Sequence, residues 1–281
     1  MKEALYYEYT EGRVHCHLCP HHCKIKEGQV GRCQVRKVVD NKLYSINYRK
    51  ISAIHVDPIE KKPIIGWKPG SKILSIGSFG CNLYCPFCQN YHISMEKPFT
   101  YQMTSDEIVY KTLDLGLPSI AYTYNEPTIF YEMMIETAKL ANEKGIKNVM
   151  VTNGFIEEEP LLNLLNYLDA LNIDLKTYSD DIYKRLGGTT VNQILRTIQI
   201  ASTKCHVEIS LLIVPGVSDD VVEMEKLFEK LYKINKNFIL HISRYYPMYK
   251  YHERPTDLEI MRAIQKKALK YFEKVNLGNV R

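Results

Sequence analysis

From residue 72 onward the chain alternates short apolar runs with longer amphipathic stretches, and this alternation constrains the fold more than any other feature. Strands are expected near 72–78, 118–124, 147–152, 169–175, 205–214 and 238–243, with a last short one at 274–280. Helical periodicity fills the intervals near 104–115, 127–144, 157–167, 180–202, 218–234 and 256–272. Strands and helices in this order build βαβ units around a parallel sheet. Right-handed crossovers running in one direction give a barrel or partial barrel, whereas a reversal gives a doubly wound sheet. We expect an α/β fold: a partial (β/α)6-type TIM barrel over residues 71–281, preceded by a small Cys-rich N-terminal domain over residues 1–70. The turn Lys68-Pro69-Gly70-Ser71 marks the expected boundary.

Seven of the eight cysteines fall between positions 16 and 88. No apolar run approaches the roughly 18 residues that span a bilayer, and the start Met1-Lys2-Glu3-Ala4-Leu5 lacks a signal-peptide core. A cytoplasmic location without a membrane partner is therefore expected. Thiols are kept reduced there, so grouped cysteines bind metal or do redox chemistry. Cys205 stands apart, on the apolar face of its strand, and reads as a core thiol. A formal charge of +5 on 281 residues is mild and does not by itself call for nucleic acid. The Lys266, Lys267 and Lys270 group fits the solvated face of a helix.

The first barrel strand runs into Gly80-Cys81-Asn82-Leu83-Tyr84-Cys85-Pro86-Phe87-Cys88. This C-x3-C-x2-C spacing offers three thiolates, enough for three irons of a cubane, and leaves the fourth iron open. Ferredoxin runs complete the set with a fourth cysteine. Structural zinc sites use paired C-x2-C knuckles and four ligands, which this loop lacks. A second group, Cys16, Cys19, Cys23 and Cys33, is spaced C-x2-C-x3-C-x9-C, with His15, His17, His21 and His22 interleaved. Four thiolates close a shell, and both zinc and an auxiliary iron–sulfur cluster fit. The redox company of the first loop tips the balance slightly toward iron. With so thin a core, residues 1–70 need such a metal staple.

Strand alternation places Asn172, Asp174 and Lys176 on one face and Leu171, Ile173 and Leu175 on the other. A polar row facing a lumen must be paired or bind something. An ion pair with a structural role is the plain alternative. In the next strand His206, Glu208 and Ser210 share a face, with His206 nearer the bottom. Glu208 and Ser210 are thus lumen candidates for substrate or catalysis, and a satisfied buried pair explains them equally well.

These residues resemble the radical SAM (S-adenosylmethionine) superfamily, in particular the pyruvate formate-lyase activating enzyme-like proteins. Within those, the chain resembles the radical SAM member of the AmmeMemoRadiSam set. The likeness is carried by Cys16 to Cys23, Gly31-Arg32-Cys33, Asp57-Pro58-Ile59-Glu60-Lys61-Lys62-Pro63, Gly80 to Asn90 and Tyr124-Asn125-Glu126-Pro127. It implies a [4Fe-4S] cluster on Cys81, Cys85 and Cys88 that chelates SAM and cleaves it reductively to a 5′-deoxyadenosyl radical. It further implies Phe87 near the adenine, Asn125 and Glu126 at the methionine amino group, and Thr152 and Asn153 on the ribose side. Asp174, Lys176 and His241 would lie near SAM. Implied partners are an electron donor such as ferredoxin or flavodoxin and a protein of the AmmeMemoRadiSam set. A glycyl-radical activase uses the same first step and is the main alternative. A zinc-knuckle nucleic-acid module using Arg32, Arg36 and Lys37 is a third reading, and it leaves the open three-cysteine loop unexplained.

Overall fold

The structure, a computed structural model, describes residues 1–280. Its main sheet has eight strands: β1 (Ala53–Pro58), β2 (Lys72–Gly77), β3 (Ser119–Tyr122), β4 (Lys147–Thr152), β5 (Ala170–Asp174), β6 (His206–Ile213), β7 (Ile239–Arg244) and β8 (Lys274–Gly278). They lie side by side in chain order. Every pair from β2 to β8 is parallel, and only β1 pairs antiparallel, with β2. Sequential order without reversal removes the doubly wound alternative, and β1 and β8 do not pair with each other, so the barrel is partial. Its inner strands are buried on both faces: every residue of β3 is buried.

The helices begin where the sequence supplies caps. Ser105–Asp114 starts with a capping box, in which the Glu107 N–H donates to Thr104 Oγ1 at 3.2 Å and the Thr104 N–H donates to Glu107 Oε2 at 2.7 Å. Asp220 and Asp257 cap Val221–Ile234 and Leu258–Ala268. One expected helix is divided. The periodicity over 180–202 resolves into Asp180–Arg185 and Val191–Ser202. Gly187, at φ +86°, closes the first piece: its N–H and that of Gly188 donate to Lys184 O and Tyr183 O. The carbonyl of Leu186 then accepts from Tyr84 N–H at 2.7 Å, within the cysteine loop.

Residues 1–45 form two small antiparallel sheets, Tyr7–Thr10 with Arg13–Cys16 and Lys24–Ile25, and Lys2–Glu3 with Lys42–Ser45 and Arg36–Val39. The chain then enters the main sheet through β1, ahead of the turn at 68–71. Residues 59–67 fill the lumen at the N-terminal ends of the strands. Ile59, Ile64 and Trp67 pack there on Ile73, Ala121, Val149 and Ala170. Among the described residues no helix is long and apolar enough to cross a membrane.

Candidate active site

Above this plug, at the C-terminal ends of the strands, lies a cavity of about 420 Å³. Ligand sites of parallel barrels occupy this end. Cys81, Cys85 and Cys88 line it together with Phe87, Asn125, Glu126, Thr152, Asn153, Asp174, Lys176 and Ser210. The loop after β2 supplies the three thiols. Cys81 Sγ accepts from the Leu83 N–H at 3.4 Å and faces Asn153 Nδ2 at 3.8 Å, donors that suit a thiolate. Burial pushes the Cys85 thiol up to about 12, with Lys176 pulling the other way. A bound cation would favour the thiolate form of these cysteines. The three cysteines, their donors and the room beside them fit an iron–sulfur cluster with one open iron.

Glu126 follows β3 and is 4% exposed. Its Oε1 accepts from Thr128 N–H at 3.0 Å and Thr152 Oγ1 at 2.7 Å, and its Oε2 accepts from Asn153 N–H at 2.8 Å. Burial pushes its carboxyl up, and these three donors pull against the shift. A carboxylate accepts about four hydrogen bonds, so room for one more donor remains on the cavity side. Asn125 lines the cavity beside it. Its Oδ1 accepts from Ser78 N–H at 2.8 Å and its Nδ2 donates to Gly80 O at 3.1 Å, which fixes the start of the cysteine loop. Phe87 is buried and meets Tyr251 edge-on at 6.0 Å.

The polar row of β5 meets the cavity as alternation predicts: Asn172, Asp174 and Lys176 line it, while Leu171, Ile173 and Leu175 are buried behind. Lys176 is ion-paired with Asp174. Burial pulls the Lys176 pKa down, but Asp174 and the neighbouring Cys85 raise it above its ordinary value, so the ammonium stays charged. Asn172 Nδ2 donates to Pro63 O, tying the row to the plug. Ser210 Oγ is buried and unpaired among the described residues.

Two expected site residues lie elsewhere. Glu208 and His241 do not line the cavity. Glu208 is 0% exposed, with Oε1 accepting from Ile65 N–H at 2.9 Å and Gly66 N–H at 2.7 Å. His206 Nε2 lies 2.8 Å from Oε1 and His241 Nε2 lies 2.6 Å from Oε2. The carboxylate is thus saturated by the plug and two histidines, and His241 turns toward it. Conversely, Lys61, Pro63, Tyr124, Gln89, Asn90, Leu212, Ser243 and Asn279 also line the cavity. Of these, Lys61, Pro63, Gln89, Asn90 and Tyr124 fall within the stretches that carry the family resemblance, and Leu212, Ser243 and Asn279 fall in or at the ends of expected strands.

Comparison with protein-family models matches residues 75–228 to the Radical SAM superfamily. An uncharacterized protein of Methanocaldococcus jannaschii is 38% identical over 289 residues, covering 100% of this chain and 86% of its own. A protein from the same organism, assigned by name as a glycyl-radical enzyme activating enzyme, is 30% identical over 72% of this chain and 87% of its own. The crystal structure of Streptococcus suis SuiB bound to S-adenosylmethionine superimposes with a TM-score of 0.56 at 16% identity, over 70% of this chain and 47% of that one. That likeness speaks to the fold alone. With the matched segment spanning more than half of the sequence and holding all three loop cysteines, the chain belongs to the radical SAM superfamily, whose members use a [4Fe-4S] cluster and S-adenosylmethionine.

Proposed function

We propose that this chain is an enzyme that cleaves SAM reductively and abstracts hydrogen from a substrate held beside Asp174, Lys176 and Ser210. The observation that carries this reading is the sharing of one cavity by the three loop cysteines, Glu126 and the Asp174–Lys176 pair. When bound, the cluster and SAM supply an electron and a 5′-deoxyadenosyl radical. The protein does the rest. Cys81, Cys85 and Cys88 would hold three irons. Glu126, oriented by Thr152 and Asn153, would take the methionine ammonium on its remaining acceptor site, and Phe87 would lie on the adenine side. Lys176 offsets the negative charge of the Cys85 and Cys88 thiolates. Ser210 Oγ and Asp174 are left to orient a polar substrate. Ferredoxin or flavodoxin would serve as reductant.

The test is anaerobic incubation of the reconstituted chain with dithionite and SAM. We expect 5′-deoxyadenosine, and its absence from protein carrying full cluster iron would overturn the proposal. Similarity to the M. jannaschii activating enzyme favours one second reading, in which the hydrogen comes from a glycine of a protein partner, such as a member of the AmmeMemoRadiSam set. Deuterium entering 5′-deoxyadenosine from labelled protein rather than from labelled small molecules would select it.

A further inference from the structure

We propose that Cys16, Cys19, Cys23 and Cys33 hold a second metal centre, closed by four thiolates and built against the loop that carries Cys81. This goes beyond the SAM site and does not depend on its assignment. The four cysteines come from the end of Arg13–Cys16, the turn that follows it and the turn before Arg36–Val39. Cys16 N–H donates to Cys23 O at 3.0 Å and His22 N–H donates to Cys19 O at 3.1 Å, which folds the segment back on itself. All four thiols are free and line one small void together with Arg36 and Ile25. Leu18, His21 and Val35 each stand two residues past a cysteine, as Leu83, whose N–H donates to Cys81 Sγ at 3.4 Å, stands past Cys81.

An independent sign is Arg36. The residue is 1% exposed, and its side chain bonds Glu132 at 2.7 Å and Leu5 O at 3.1 Å and lines the four-cysteine void. Its Nε–H is buried with no acceptor. An orphaned donor on a buried cation is costly, and an anionic sulfur in the void that Arg36 lines would offer it an acceptor. Thiolate sulfur suits both Zn2+ and an iron–sulfur cluster. Among the described residues no three His, Cys, Asp or Glu side chains converge tightly enough for a single ion, and this holds for Cys81, Cys85 and Cys88 as well. Spacing therefore does not separate the two sets. The centre would share a wall with the other loop. A Cβ at Gly80 would stand 2.8 Å from Cys33 O, His21 Nε2 lies 2.7 Å from Asn82 O, and Tyr84 OH donates to Arg32 O.

The test counts metal in the full-length chain, purified anaerobically, as wild type and as Cys81→Ala/Cys85→Ala/Cys88→Ala. The triple variant should keep about one zinc, or about four irons with four sulfides, per chain. Either metal supports the centre, and adding Cys19→Ala and Cys33→Ala should reduce it at least tenfold. A triple variant that keeps its far-UV circular dichroism but carries no metal overturns the proposal. Should that variant not fold, a reconstituted wild type with only one cluster's iron and no zinc overturns it instead. Since the triple variant lacks the SAM site in any case, neither outcome bears on SAM cleavage.

Discussion

Replacing Glu208 by alanine separates an anchor of the barrel plug from a catalytic acid. In the structure this carboxylate holds Ile65 N–H and Gly66 N–H from below and the rings of His206 and His241 from the strands. Alanine leaves the two amides without their acceptor. Each unsatisfied buried donor costs about 1–3 kcal/mol, so Glu208→Ala should lose about 2–6 kcal/mol, a large share of a domain's 5–15 kcal/mol. Urea unfolding of cluster-loaded protein measures this, and amide exchange should quicken first at residues 59–67. Glu208→Gln keeps an oxygen for the amides and should lose less. A pH signature accompanies the anchor. Burial works to raise the Glu208 carboxyl, but His206, His241 and Gly66 outweigh it and hold the carboxyl at about 2. Its folded pKa thus lies below the unfolded value, so its contribution is complete above about pH 4.5 and is lost as pH falls toward 2. Glu208→Gln should flatten that acid slope. Stability within about 0.5 kcal/mol of wild type, together with lost SAM cleavage, would refute the anchor and restore a catalytic role.

Three further outcomes are expected. Cys85→Ala should lose the SAM-cluster iron and 5′-deoxyadenosine formation while circular dichroism stays unchanged, because the loop contributes no strand to the sheet; native activity after reconstitution would contradict this. Glu126→Gln should weaken SAM binding at least tenfold with cluster iron intact, as read by titration calorimetry, since it removes the negative charge proposed to meet the methionine ammonium. Gly187→Ala should cost about 1–2 kcal/mol for its left-handed φ of +86° and force Tyr84, 2.8 Å from the new Cβ, to shift, lowering cluster occupancy as seen by iron analysis.

The parallel strands and the cavity row of β5 were legible because their signals are local. A two-residue period fixes which side chains of β5 share a face, and the strand ends at Thr152 and Asp174 fall where the apolar runs stop. What could not be read is set by distant chain segments. Glu208 and Ser210 share one face of β6, yet only Ser210 meets the cavity, because residues 63–67 fill the lumen one step lower. No period in β6 reports a loop more than 140 residues away. The strand Ala53–Pro58 escaped for a related reason. Five of its six residues are exposed or half-exposed, as suits an edge, so it lacks the apolar run that marks the inner strands. The division of the 180–202 helix was signalled by Gly187-Gly188, but its purpose, a carbonyl for Tyr84, appears only in three dimensions.

The cysteine loop itself has no regular secondary structure from residue 78 to 90, so its geometry must be imposed from outside. Five separate parts of the chain do so. Asn125 pins Ser78 and Gly80. Asn82 donates to Phe155 O at 2.8 Å and accepts from Asn153 Nδ2 at 2.8 Å, while its own carbonyl meets His21. Tyr84 N–H reaches Leu186 O, and Lys250 N–H donates to Pro86 O at 2.9 Å. These clamps come from the N-terminal unit and from loops after β3, β4, β5 and β7, the same loops that carry Glu126, Asn153 and Lys176 around the cavity. A site that must hold reacting groups to a fraction of an ångström gains from sharing its supports in this way. Any change that displaces one barrel loop moves the thiols and the cavity walls together, which keeps their relative geometry.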